Sequence, residues 1–388
     1  MKYCTQCVQP DSRPGIYFEN GVCGACLWEN EIKKINWPER ENELKEIAEE
    51  AKLRSRGPYD CAIGVSGGKD STFQALYARE RLGLRPLLVN SEPDNITFVG
   101  ARNLENIKQL GFDVISLRPN PVILRKLVRK EFFENLNIGC ATERPLWAST
   151  YIIALRFGIP LVIQGDNPGQ VFGINKETQN SGDALTILKH NTIEGDIVKR
   201  YCFDEITEKD LFMYHFDVNE VLNSNMKAVW LSHYAKEWSV LHNAEFSIKR
   251  GLQIRPSDID PYEQGTYRRF FQLDADGLEV NQLLKYIKFG FGQATDHACF
   301  DVRSGHISRD EGVFLVKELD GKCGSSYIRN FCRYINISEK EFREHADTFR
   351  GPMWERADGR WILKDPVWEQ TPVTGEYSVK DICRRLGI

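Results

Sequence analysis

Between residues 60 and 164 the chain alternates short apolar runs with longer stretches of helical spacing. Asp60–Val65, Arg85–Asn90, Asp113–Leu117 and Pro160–Gln164 are brief and bounded by turn residues, which predicts four strands. The intervening spacing predicts helices near 71–82, 97–110, 121–136 and 145–157; in the first, Phe73, Leu76 and Tyr77 share a face. Strands alternating with helices predict an α/β fold, a parallel sheet with helices on both faces. Upstream, WPERENELKEIAEEAKLRSRG reads as an amphipathic helix, with Pro38 near its start and Gly57 past its end. From about residue 200 the strand signal fades. KAVWLSHYAKEWSV, EVNQLLKYIKFG and RDEGVFLVKELDG have helical periodicity, and Ser308-x-x-Glu311 and Ser338-x-x-Glu341 have the spacing of capping boxes. The pattern divides the chain into an N-terminal unit at 1–35, an α/β unit at 36–205 and a mainly helical region at 206–388, without internal repeats.

At 388 residues two or three such units are expected, and 41% hydrophobic with 27% charged residues is ordinary for a soluble globular protein. A net charge of −4 gives no support to a nucleic-acid footprint. MKYCTQCVQP has no apolar signal core and no 18-residue apolar run follows, so a cytoplasmic protein without a membrane span is expected. The odd count of 11 cysteines, with no secretory signal, argues against a disulfide framework. Spacing then decides. Cys4-x2-Cys7 and Cys23-x2-Cys26 fit a Cys4 zinc ribbon, each pair able to bite one Zn²⁺ tetrahedrally. A closed four-thiolate shell leaves no open position for catalysis. Cys61, Cys140, Cys202, Cys299, Cys323, Cys332 and Cys383 are scattered and read as apolar fillers.

The stretch CAIGVSGGKDST carries the clearest chemistry. An apolar strand runs into Ser66-Gly67-Gly68-Lys69-Asp70-Ser71 and then a helix, so glycines, open backbone N–H groups and a helix N-terminus converge on one anion site. Lys69 adds a full positive charge and Asp70 can hold Mg²⁺ beside phosphates. The common P-loop pattern fails, because Ile63 and Asp70 stand where a glycine and a Ser or Thr are required. The dinucleotide pattern fails at Gly64-Val65-Ser66. What remains, S-G-G-x-D-S after a strand, resembles the PP-loop of the adenine-nucleotide α-hydrolases, which cleave ATP between the α and β phosphates. In parallel sheets ligands bind beyond the carboxyl ends of strands. Asn90 and the Gly165-Asp166 pair, at two further strand ends, therefore join Ser66, Gly67, Gly68, Lys69, Asp70 and Ser71 as candidate ATP contacts.

Late in the chain, KFGFGQATDHACFDVRSGHISRDEG (288–312) packs Asp296, His297, Asp301, Arg303 and His306 among glycines and aromatics, the setting of a substrate pocket. With the cysteine pairs, the S-G-G-K-D-S loop and this block in order, the chain resembles the N-acetyl sugar amidotransferases of bacterial surface-polysaccharide and nonulosonic-acid synthesis, which include lipopolysaccharide O-antigen pathways. It departs from their usual pattern at Asp166, where Glu is common, at Gln293, where Arg is common, and around Cys140, which lacks a cysteine cluster. The resemblance implies conversion of an acetamido group to an acetamidino group on a nucleotide-linked N-acetyl sugar. It implies ATP and Mg²⁺, a separate glutaminase and a cyclase-like ammonia-channel subunit. Lys69 and Asp70 would serve the departing pyrophosphate; Asp296 and His297 would position the acetamido group or take a proton from ammonia.

The chain offers no glutaminase of its own. Residue 2 is Lys rather than a nucleophilic Cys, Gly139-Cys140 lacks an elbow's spacing, and Gly321-Lys322-Cys323-Gly324-Ser325 ends in Ser. A PP-loop tRNA thiolase is the alternative enzyme, opening with similar knuckles and loop. It would want a cysteine pair in the catalytic domain, where Cys61, Cys140 and Cys202 form no C-x-x-C. A nucleotide-binding regulator without catalysis would have no use for the late block.

Overall fold

The computed structural model describes residues 1–189 and 195–387. Its centre is a five-stranded parallel sheet of Cys61–Gly64 (β1), Pro86–Ser91 (β2), Asp113–Leu117 (β3), Leu161–Gln164 (β4) and Lys227–Trp230 (β5). The spatial order is β3-β2-β1-β4-β5. Successive side chains of β1, β2, β4 and β5 enter opposite cores. Ile63, Leu88, Ile163 and Val229 pack with the helices Trp37–Arg54, Lys69–Glu80 and Phe98–Gln109. Ala62, Leu87, Val162 and Trp230 pack on the other face with Tyr151 and Ala154 of the helix Gly139–Arg156. Burial on both faces is why these strands read as continuous apolar runs.

The four strands and four helices expected between 60 and 164 are all present. The region after 205 differs from expectation. KAVW is a strand, β5, in register with β4 from Leu161↔Lys227 to Gln164↔Trp230, and only Leu231–Tyr234 continues as a helical turn. Val229 and Trp230 enter opposite cores, a period-two demand that overrides the helical spacing. The sheet unit therefore runs past the boundary drawn at 205, and the helix Val240–Ile248 packs against Lys69–Glu80. A hairpin of Trp354–Ala357 and Arg360–Leu363 is the other departure from a helical second half.

That half is otherwise built from Gly277–Phe289, Gln293–Arg303, Arg309–Leu319, Ser325–Ile335 and Glu339–Asp347. The Ser308 capping box closes in both directions, Glu311 N donating to Ser308 Oγ at 3.1 Å and Ser308 N to Glu311 Oε2 at 2.8 Å. Ser338 Oγ caps its helix by accepting from Glu341 N at 3.0 Å. Among the described residues, no helix is long and apolar enough to cross a membrane.

At the N-terminus, Phe18–Glu19 and Val22–Cys23 form a tiny hairpin through Asn20-Gly21, both at positive φ. This is the Asn-Gly turn that matches strand twist, and it delivers Cys23 and Cys26 opposite Cys4 and Cys7. The cysteine unit shares a core with Ala294, Ala298, Val313 and Val316, and so is seated on the helical region.

Candidate active site

β1 and β4 are neighbours at the point where chain order reverses, so their carboxyl ends open the crevice in which such sheets bind ligands. The Ser66–Ser71 loop leaves β1 there. Gly67 sits at φ +79°, and a Cβ on it would stand 2.7 Å from the backbone of Asn103 and Leu104, so only glycine fits. Gly68 caps the Lys69–Glu80 helix without any side-chain cap bond. The first-turn N–H groups stay available to an anion.

A cavity of about 320 Å³ opens over this loop. Of the expected ATP contacts, Ser66, Gly68, Lys69, Asp70, Ser71 and Gly165 line it. Gly67 forms the turn behind them. Asn90 lies beneath: its Nδ2 donates to Val65 O at 2.7 Å, bracing the loop, while its buried Oδ1 has no hydrogen-bond partner among the described residues. Asp166 stands to the side, accepting from Trp238 Nε1 at 2.6 Å. Burial, and then the charge of Asp70, push Asp166 up to about 6. Two carboxylates in each other's field beside an anion cradle are the donor set a nucleotide-bound divalent cation needs.

Lys69 is buried, ion-paired to Asp70 and 4.5 Å above the ring centroid of Phe271. Phe271 belongs to the opposite wall, Phe270–Asp274, which the sequence reading did not single out. Backbone holds it in place. Arg255 donates to Phe271 O at 2.7 Å and to Gln272 O at 2.8 Å, and is itself ion-paired to buried Glu279. Gln272 sits at φ +48°, a conformation uncommon for a side chain with a Cβ. At Gly100 a Cβ would lie 2.6 Å from Asp274 Cα, so the helix Phe98–Gln109 and this wall meet backbone to backbone. Adjacent phenylalanines in FFQLDADG were the one available signal.

Asp296 and His297 lie behind that wall. Asp296 accepts from Lys285 Nζ at 2.6 Å and is ion-paired to Arg13, whose guanidinium lies between the rings of Phe172 and Phe291 at 4.8 and 4.6 Å. Burial alone would raise Asp296, but Arg13 and Lys285 outweigh it and hold its pKa below the ordinary value. His297 stacks on Phe271 at 3.9 Å, and its Nδ1 meets Thr266 Oγ1 at 2.5 Å. Burial keeps its pKa well below the ordinary value, so the ring is neutral. Asp301 of the same block is clasped by Arg268, with Nε to Oδ2 at 2.9 Å, and by Tyr267 Oη at 2.6 Å.

Cys4, Cys7, Cys23 and Cys26 are buried with their sulfurs within 4.8 Å of one another. The Cys4–Cys26 and Cys7–Cys23 sulfurs are 3.8 and 3.7 Å apart. Zn–S bonds of about 2.3 Å give a tetrahedral edge of about 3.8 Å. Gln6 N and Cys23 N point at Cys4 Sγ from 3.4 and 3.3 Å, as donors to a thiolate do. The cluster fits a zinc ribbon.

Residues 264–366 match the family model described as LPS biosynthesis protein WbpG-like, C-terminal domain. That segment holds both the 270–274 wall and the late block, for which the family resemblance is borne out. No curated protein matches the chain. Among solved structures it is similar to NMN synthetase from Francisella tularensis, at 17% identity over 57% of this chain and 99% of that one, with a TM-score of 0.29.

Proposed function

We propose, for a chain whose residues 264–366 match a WbpG-like C-terminal domain, that it is an ATP-dependent amidotransferase of surface-glycan synthesis. It would replace the oxygen of a sugar's acetamido group by nitrogen, and lipopolysaccharide synthesis is the context of the matched family. The observation that carries the reading is a single cavity with the S-G-G-K-D-S loop on one wall and residues 270–274 of the matched segment on the other. A nucleotide on the first wall meets an acceptor presented by the second.

An amide oxygen is a poor leaving group. Attack of that oxygen on the α-phosphorus of ATP expels pyrophosphate and leaves an imidate whose leaving group is AMP; ammonia then displaces AMP. Open N–H groups at the helix start and the Lys69 ammonium hold the charge that gathers on pyrophosphate. Asp70, with Asp166 beside it, would hold a Mg²⁺, which would supply further charge neutralisation. Lys69 must leave Asp70 for the phosphates. Phe271 backs its side chain and excludes water. His297, neutral and stacked behind Phe271, and Asp296, held by two cations, suit positioning of this wall better than proton removal.

Zinc at Cys4, Cys7, Cys23 and Cys26 is structural in this reading, fixing the unit that carries Arg13. Ammonia comes from a partner glutaminase through a channel subunit. Burial pushes Cys140 up to about 11 and Cys323 up to about 12, which suits neither as a nucleophile. A tRNA thiolase is disfavoured because no cysteine is among the residues lining the cavity. The enzyme would act in the cytoplasm, where ATP and nucleotide-linked sugars are made. Incubation with ATP, Mg²⁺, isotope-labelled ammonium and nucleotide-linked N-acetyl sugars should place the label in an amidine, read by mass spectrometry. Unlabelled sugars across a panel, with ATP consumed, would overturn the reading.

A further inference from the structure

We propose that the segment from Trp238 to Ser247 is a clamp that aims the site's two carboxylates, Asp70 and Asp166, with Asn243 as the positioning residue for Asp70. The proposal rests on reading Asp70 as the ligand of a nucleotide-bound divalent cation. Three side chains of this one segment reach three groups of the site. Trp238 Nε1 donates to Asp166 Oδ1 at 2.6 Å, Asn243 Nδ2 to Asp70 Oδ1 at 2.9 Å, and Ser247 Oγ to the Lys69 carbonyl at 2.8 Å. Asn243 and Ser247 are four residues apart on the helix Val240–Ile248, so they share a face, and both are fully buried. His242 and Phe246, also four apart, grip Phe73 of the loop's own helix edge-on at 5.4 and 5.0 Å, and Trp238 does so at 5.6 Å. Clamp and the loop's helix therefore share one packed interface.

The choice of an amide as Asp70's second partner matters chemically. Lys69 holds one carboxylate oxygen and Asn243 the other. An amide donor orients the carboxylate without neutralising it, and each oxygen keeps a lone pair for a cation. A second cation there would compete with the metal. Without Asn243, Asp70 would turn fully onto Lys69, withdrawing a ligand from the metal and a charge from the phosphates together. The Asn243 Oδ1 is buried with no hydrogen-bond partner among the described residues, so no bond of its own fixes the amide except the one to Asp70.

The test is a Mn²⁺ titration of the full chain in the presence of ATP, followed by the electron paramagnetic resonance of bound Mn²⁺. Asn243→Leu, which keeps the branched four-atom skeleton but removes the donor, should raise the Mn²⁺ midpoint about tenfold, the worth of one hydrogen bond to a charged group. Its melting temperature is measured alongside to establish folding. Asn243→Asp keeps the shape but sets a second carboxylate beside Asp70. It should melt below wild type without metal and gain more from Mn²⁺ than wild type does. Wild-type binding with an unchanged Asn243→Leu midpoint overturns the clamp alone, as does an Asn243→Asp protein whose Mn²⁺ response equals wild type. A wild-type chain that binds ATP but no Mn²⁺ overturns the cation reading of Asp70 on which the clamp rests.

Discussion

The glycine-rich loop and the late block carry similar side chains, a lysine and an aspartate in one, aspartates and a histidine in the other. The structure spends them differently. Lys69 and Asp70 hold each other at the lip of a cavity, where a ligand with more charge can separate them. Asp296 is engaged by the largely buried Arg13 and Lys285, Asp301 by the buried Arg268, and His297 is locked between Thr266 and Phe271. Titratable residues near glycines and aromatics thus serve two ends here. One set faces the cavity, and the other fixes the wall opposite it.

Zinc removal should act most strongly, because it dissolves the frame under the second set. Ligation free energy in small zinc units is on the order of 10 kcal/mol, and folding of the unit draws on it. Metal analysis should find zinc equimolar with the chain, and Cys26→Ser should lose both the metal and the melting transition of the N-terminal unit. Zinc-free protein with unchanged melting would break this half of the comparison.

Asp296→Asn should cost about 3 kcal/mol, the lower end for a buried pair, since the largely buried Arg13 and Lys285 would be left without a full counter-charge. The pH dependence has a definite sign. Asp296's folded pKa is depressed, so its stabilisation is present above the unfolded value of about 3.9 and is lost as pH falls through the folded one. Chemical denaturation of wild type and variant should therefore converge at low pH.

Lys69→Ala should lower turnover about 10²–10³-fold, the scale of one preorganised electrostatic contact, with the melting temperature nearly unchanged. If Lys69→Ala instead unfolded the chain while Asp296→Asn only slowed it, the two regions would have exchanged roles.

The smallest effect concerns Asp166. Its folded pKa is raised to about 6, so burying it ionised costs stability as pH rises from about 4 through 6 in the nucleotide-free protein. A cation needs the ionised form, so kcat/KM for ATP should fall as pH drops below about 6. Asp166→Asn should flatten that limb to within about threefold over the same range.

Much of this was legible in the sequence for a physical reason. Strands buried on both faces must be apolar at every position, and a phosphate cradle must place glycines, a lysine and a helix start in one order. Paired C-x2-C spacing carried the cysteine cluster in the same way. KAVW was not legible, because four residues satisfy a helical stripe and a strand equally until β4 lies alongside. The 270–274 wall was hidden because it works through backbone carbonyls, stacked rings and a glutamine at positive φ, none of which has a spacing. Nor does sequence say that Arg13, near the four-cysteine cluster, reaches Asp296.

On the proposed function, this cavity would split ATP between the α and β phosphates to activate an amide oxygen. Phosphorus NMR of the full chain with ATP, Mg²⁺, ammonium and an accepted N-acetyl sugar measures it directly. AMP and pyrophosphate appearing in step with amidine, and neither appearing without the sugar, is the predicted result; ADP and orthophosphate would contradict it.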